Sequence, residues 1–142
     1  MKNFLLILFY PLILFAQEEV IIYWNSLATD VTVGVPLADD NSLIGGRIQV
    51  KVSFDGGKSF KDMGDPSSID KGDTDDIKSV SVPAEIFEGM NGFNEGGKAQ
   101  FIATVWDRAG NNVTGSVSDS ILTIDETPPI LLDLKNISSN TN

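Results

Sequence analysis

The sequence predicts an all-β chain, an antiparallel sandwich of about seven strands, and three observations carry that prediction. Apolar residues recur with period two along most of the chain, clusters of Gly, Asn and Asp separate the runs, and no long stretch keeps a helical period. Val20 to Trp24 is the first short apolar run. Val31, Val33, Val35 and Leu37 then alternate with Thr32, Gly34 and Pro36, and Pro36 fits best on an edge strand or at a bulge. Ile48, Val50, Val52 and Phe54 alternate with Arg47, Gln49, Lys51 and Ser53, which places Gln49 and Lys51 on a wet face. Val80 and Val82 mark a further strand before Pro83, and Ala84 to Glu88 is the single stretch suited to a helical turn. Lys98 to Trp106 is apolar on both parities, as a central strand covered on both faces would be, with Phe101 and Val105 in the core. Ile121 to Ile124 closes the set.

Turn residues stand between these runs at Asp39-Asp40-Asn41, Asp55-Gly56-Gly57, Asn91-Gly92, Glu95-Gly96-Gly97 and Gly110-Asn111. Met63 to Asp76, dense in Asp, Ser and Gly, reads as a mobile loop between sheets.

The N-terminus predicts export. Lys2 precedes an uncharged apolar run of 12 residues, Phe4 to Phe15, and Ala16 offers a small residue for cleavage before Gln17-Glu18-Glu19. A spanning helix needs about 20 apolar residues, so residues 1–16 are expected to be a signal peptide. The module then covers 17–126, and 127–142 is a proline linker with the start of a second module. Localisation follows: secreted or cell surface, with no membrane insertion of the mature chain. Removing Lys2 from the 10 basic residues leaves nine against 20 acidic ones, a net charge of −11. Such a surface repels nucleic acid and anionic lipid.

The chain has no cysteine and no histidine. An exported domain without cysteine holds together by its core rather than by disulfides. The commonest general base near neutral pH is missing, as are the ligands of most zinc sites. The expectation is therefore that the chain is not an enzyme and carries no catalytic residues. Pairs of carboxylates suited to glycosidase chemistry arise by chance among 20 acidic residues.

Two motifs resemble known families. Val105-Trp106-Asp107-Arg108-Ala109-Gly110-Asn111-Asn112-Val113, followed by Leu122-Thr123-Ile124-Asp125-Glu126-Thr127-Pro128-Pro129, resembles the close of a bacterial immunoglobulin-like or fibronectin type III-like repeat. The resemblance covers 98–129 most specifically and extends from Val20. It implies an immunoglobulin-like sandwich, a count of about seven strands agreeing with that fold. It also implies a stalk, spacer or adhesive role, with neighbouring modules of the same chain as partners and a cell-surface protein or glycan as a further one. The alternative is a carbohydrate-binding or accessory domain of a secreted hydrolase. Ser53-Phe54-Asp55-Gly56-Gly57-Lys58-Ser59-Phe60 resembles the Asp-box of sialidase-like propellers, an architectural element. Sialidases bring three arginines to their substrate, whereas this chain holds only Arg47 and Arg108.

Calcium is the one cofactor to weigh, since it takes roughly six to eight oxygen ligands. Its candidates are Asp107, Asn111, Asp125 and Glu126, then Asp39, Asp40 and Asn41, and Asp73, Asp75 and Asp76. Solvated or turn-stapling carboxylate is the default for each. Asn112-Val113-Thr114 and Asn136-Ile137-Ser138 match the glycosylation triplet.

Overall fold

A computed structural model describes residues 20–131. The expected signal peptide, the chain beyond Leu131 and the triplet at Asn136 lie outside the described residues. The protein is an all-β sandwich. Its strands are β1 (Val20–Trp24), β2 (Asp30–Pro36), β3 (Arg47–Ser53), the two-residue β4 (Lys61–Asp62) and β5 (Ser67–Ser68), β6 (Ile77–Pro83), β7 (Lys98–Trp106), β8 (Asn112–Thr114) and β9 (Ser120–Ile124). The expected helical turn is α1, Ala84–Glu88. No helix among the described residues is long and apolar enough to cross a membrane.

The larger sheet runs β1-β9-β7-β3-β4, with β5 also on β3 and β8 also on β7, and the smaller is β2-β6 alone. Placing β9-β7-β3 against β2-β6 matches the G-F-C and B-E pairings of the immunoglobulin sandwich. One pairing departs from the expected antiparallel pattern. β1 lies parallel to β9, from Val20 opposite Ser120 to Trp24 opposite Ile124. A strand's neighbour and direction are set by tertiary contacts, which a local period does not record.

The core forms where the inward parities meet. Ile48, Val50 and Val52 from β3, Ala99 and Phe101 from β7, and Leu122 and Ile124 from β9 face Val31, Val35, Val80 and Val82. Phe87 of α1 is fully buried at one end, with Trp24 at 5.0 Å, Phe93 at 5.3 Å, Phe54 at 5.7 Å and Phe101 at 6.2 Å between ring centroids. The indole N–H of Trp24 donates to Glu88 Oε1 at 3.1 Å, so the buried ring keeps a polar partner. Val105 is half-buried against this core. Trp106 is half-buried too, beneath the Arg47 guanidinium, 4.5 Å from its ring centroid.

Two expectations are corrected. Gln49 is buried, not solvated: its amide donates to the carbonyls of Val50 (2.9 Å) and Gly64 (3.1 Å), so its outward face is roofed. The roof is the segment expected to be a mobile loop. Met63 and Ile69 are both buried, Met63 N–H bonds Val50 O at 2.9 Å, and β5 pairs with Arg47 and Ile48. Two apolar anchors in a polar segment suffice to fold it along the side of the sandwich, where Gly64 packs on Val82. Lys51 remains partly exposed and pairs with Asp62 at 3.3 Å.

Candidate functional site

The carboxylates singled out for metal binding each hold a turn. Asp107 Oδ1 accepts the Asn111 backbone N–H and Oδ2 accepts its side-chain amide, both at 2.8 Å. Gly110, at φ 95°, supplies the left-handed residue that closes this turn. The Asn111 amide, before any other contact, holds the Asp107 carboxyl below its ordinary value. Asp125 and Glu126 lie at the other end of the molecule. The Asp107 turn follows the last residue of β7, whereas Asp125 follows β9, whose Thr123 pairs with Lys98, the first residue of β7. The nine residues of β7 separate the two pairs by about 27 Å at the usual strand rise. The structure therefore does not bring the four residues together.

The remaining candidates are also committed to backbone. Asp40 caps a 3-10 turn, Asn41–Leu43, by accepting Ser42 N–H at 2.8 Å, and Asp39 and Asn41 are exposed beside it. Asp73 accepts Asp70 N–H at 2.7 Å and Lys78 Nζ at 2.9 Å. Asp76 accepts the next residue's N–H at 2.7 Å, and Asp75 takes φ 61°. Among the described residues no group of three or more carboxylate, histidine or cysteine side chains is placed to hold a metal ion.

The Asp-box segment behaves as its architecture implies. Asp55 accepts the N–H groups of Lys58 and Ser59 at 3.0 Å and the hydroxyls of Ser53 (2.7 Å) and Ser59 (2.5 Å). These donors, the Ser59 hydroxyl first, pull its carboxyl far below the ordinary range.

Sequence reasoning missed Glu95. Its Oε2 accepts Glu126 N–H and its Oε1 accepts the Thr127 hydroxyl, both at 2.9 Å. Gly96 N–H bonds Ile124 O and Asp125 N–H bonds Trp24 O, so the exit from β9 is held on both sides. A lone glutamate beside two glycines carries no sequence signal for a contact 31 residues away.

The Glu126 N–H, with the Thr127 hydroxyl next, depresses the Glu95 pKa. The sign follows from linkage. A depressed folded value means that the clamp is fully present above the unfolded glutamate pKa, about 4.3, and is lost as pH falls through the folded value. The Glu126 amide resonance is expected to shift as the chain is acidified below about pH 4, and in Glu95→Gln this titration should vanish. An identical titration in the variant would remove Glu95 as its cause.

The other notable surface is an open seam between the sheets. One cavity of about 410 Å³ lies between β1 and β2, and a second of about 240 Å³ continues it along β2 toward Val113. Val33, Gly34, Phe101 and Ser118 line both.

The chain matches no known family and no curated protein in sequence.

Proposed function

We propose that the chain is a non-catalytic structural or adhesive module of the immunoglobulin-like kind, exported and working as a stalk or spacer unit of a larger bacterial surface or secreted protein. The observation that carries this reading is where its aromatic rings lie. A sugar-binding face needs two or three exposed rings together. Among the described residues Trp24, Phe87 and Phe101 are buried, Phe54, Phe60, Phe93 and Trp106 are half-covered, and only Tyr23 is exposed, at 62%. The ring surface is spent on the core. The clamp on the exit from β9 adds to the reading, because a unit that presents others gains from a chain that leaves in a set direction.

The test is affinity electrophoresis of the exported product, expected to begin at Gln17, through gels containing a panel of soluble polysaccharides. Its mobility should match that in blank gels. Retardation that disappears in Tyr23→Ala would favour the carbohydrate-binding accessory reading instead.

A further inference from the structure

The two sheets differ in width, and the difference leaves a place for one more strand. On the β6 side the segment holding Met63 and Ile69 closes the sandwich. Nothing among the described residues does so on the β2 side. β2 pairs with β6 only, so its other edge presents unpaired N–H and C=O groups. Residues that should be covered by their parity are not. Ile22 shares the inward parity of Trp24 yet is 50% exposed, and Val33, between buried Val31 and Val35, is only half-buried. Edge strands are commonly protected by charge or proline. Here Asp30 and Pro36 stand at the two ends, and Val31 to Val35 carries neither.

We propose that this edge accepts an extended strand from a second copy of the chain, and that the strand is Ile130 to Leu134. Ile130, Leu132 and Leu134 fall on one parity, with Asp133 and Lys135 on the other, the pattern of a strand with one apolar face. Ile130 and Leu131 are 88% and 87% exposed, so the start of this apolar segment has no partner in its own copy. Five extended residues span about 17 Å, within the seven-residue length of β2. The alternate side chains would enter the two cavities while the backbone pairs with β2, the usual mode of strand addition.

Two features direct the segment to another copy. Glu95 precedes β7, and β9 lies between β7 and β1. The clamp on Glu126 and Thr127 therefore draws the chain away from the seam beside β1. Pro128-Pro129 then holds it extended. Direct pairing of two β2 edges is blocked, because β1 projects past β2 in the larger sheet and would meet its counterpart. A donated strand makes the contact head-to-tail, so each copy both gives and receives.

Sedimentation of the full exported chain tests this with two variants and their mixture. Wild type should grow in mass with concentration, beyond a dimer. The double variant Leu132→Asp, Leu134→Asp loses the donor strand without touching the module, and Ile22→Lys alters the acceptor at a half-exposed position. Each should sediment as a monomer. Mixed one to one, they should form a dimer that grows no further, since one intact donor meets one intact acceptor. A wild type that stays monomeric at millimolar concentration overturns the proposal, as it would if Ile130 to Leu134 pairs within its own chain. A donor variant that assembles like wild type overturns it equally.

Discussion

Phe87→Ala should be the most damaging side-chain truncation in the molecule, costing about 3–5 kcal/mol, as buried Phe truncations do. Phe87 has no exposed surface and meets four other rings, with Trp24 and Phe93 edge-on and Phe54 and Phe101 tilted. Its removal opens a cavity that the strands bearing Trp24 and Phe101 are too constrained to fill. Aromatic pairs add about 0.5–1.5 kcal/mol beyond their buried area, so Phe87→Leu should recover part of the loss and not all of it. Denaturant melts check both, and the Ala variant should lose at least 10 °C, by the usual scaling of about 4–8 °C per kcal/mol for a domain near this size. A loss under about 1 kcal/mol would mean that the helical turn can swing out and that Phe87 is no keystone; surface substitutions behave that way.

Gly46→Ala should approach the same scale for a different reason. A Cβ at Gly46 would stand 2.0 Å from the Trp106 carbonyl oxygen and 2.9 Å from that of Leu43, both backbone atoms. Neither can rotate aside. β3 and β7 would have to part where Arg47 pairs with Trp106, and the bond from Ile69 N–H to Gly46 O would go with them. Overpacking a tight site costs about 1–3 kcal/mol and sometimes more, and the disrupted ladder puts this case at about 3 kcal/mol. Gly56→Ala is the matched control. Gly56 has φ 76° with nothing within 4 Å of its Cβ position, so that variant carries backbone strain alone, about 1–2 kcal/mol. Thermal melts should rank Gly46→Ala clearly below Gly56→Ala, and the reverse order would show that the β3–β7 junction yields.

How much of this was legible in the sequence depended on whether the cause was local. The alternation at Val31 to Leu37 and at Ile48 to Phe54 reports a face directly, and both runs are strands with their valines inward. Asp55 and Asp107 were legible as turn residues because each bonds backbone within four positions of itself. Gln49 was not. Its period placed it outward correctly, but the roof over it comes from Met63 and Gly64, and no property of β3 encodes that roof. The distance between Asp107 and Asp125 was hidden for the same reason. Proximity in a list of acidic residues says nothing about which end of β7 each one occupies. The open seam also escaped, because the period marks Ile22 and Val33 as core and only the width of the opposing sheet shows them uncovered.

The parallel pairing of β1 with β9 has a mechanical consequence. Both strands run the same way, Val20 beside Ser120 and Trp24 beside Ile124. Tension applied between the start of β1 and the end of β9 is therefore directed along the two strands in opposite senses. The evenly spaced bonds of a parallel ladder are then loaded in shear, all together, instead of being peeled one after another as at the open end of a hairpin. The first barrier to extension lies at the pair that joins the beginning of the fold to its end, and while that pair holds, the sandwich behind it bears no load.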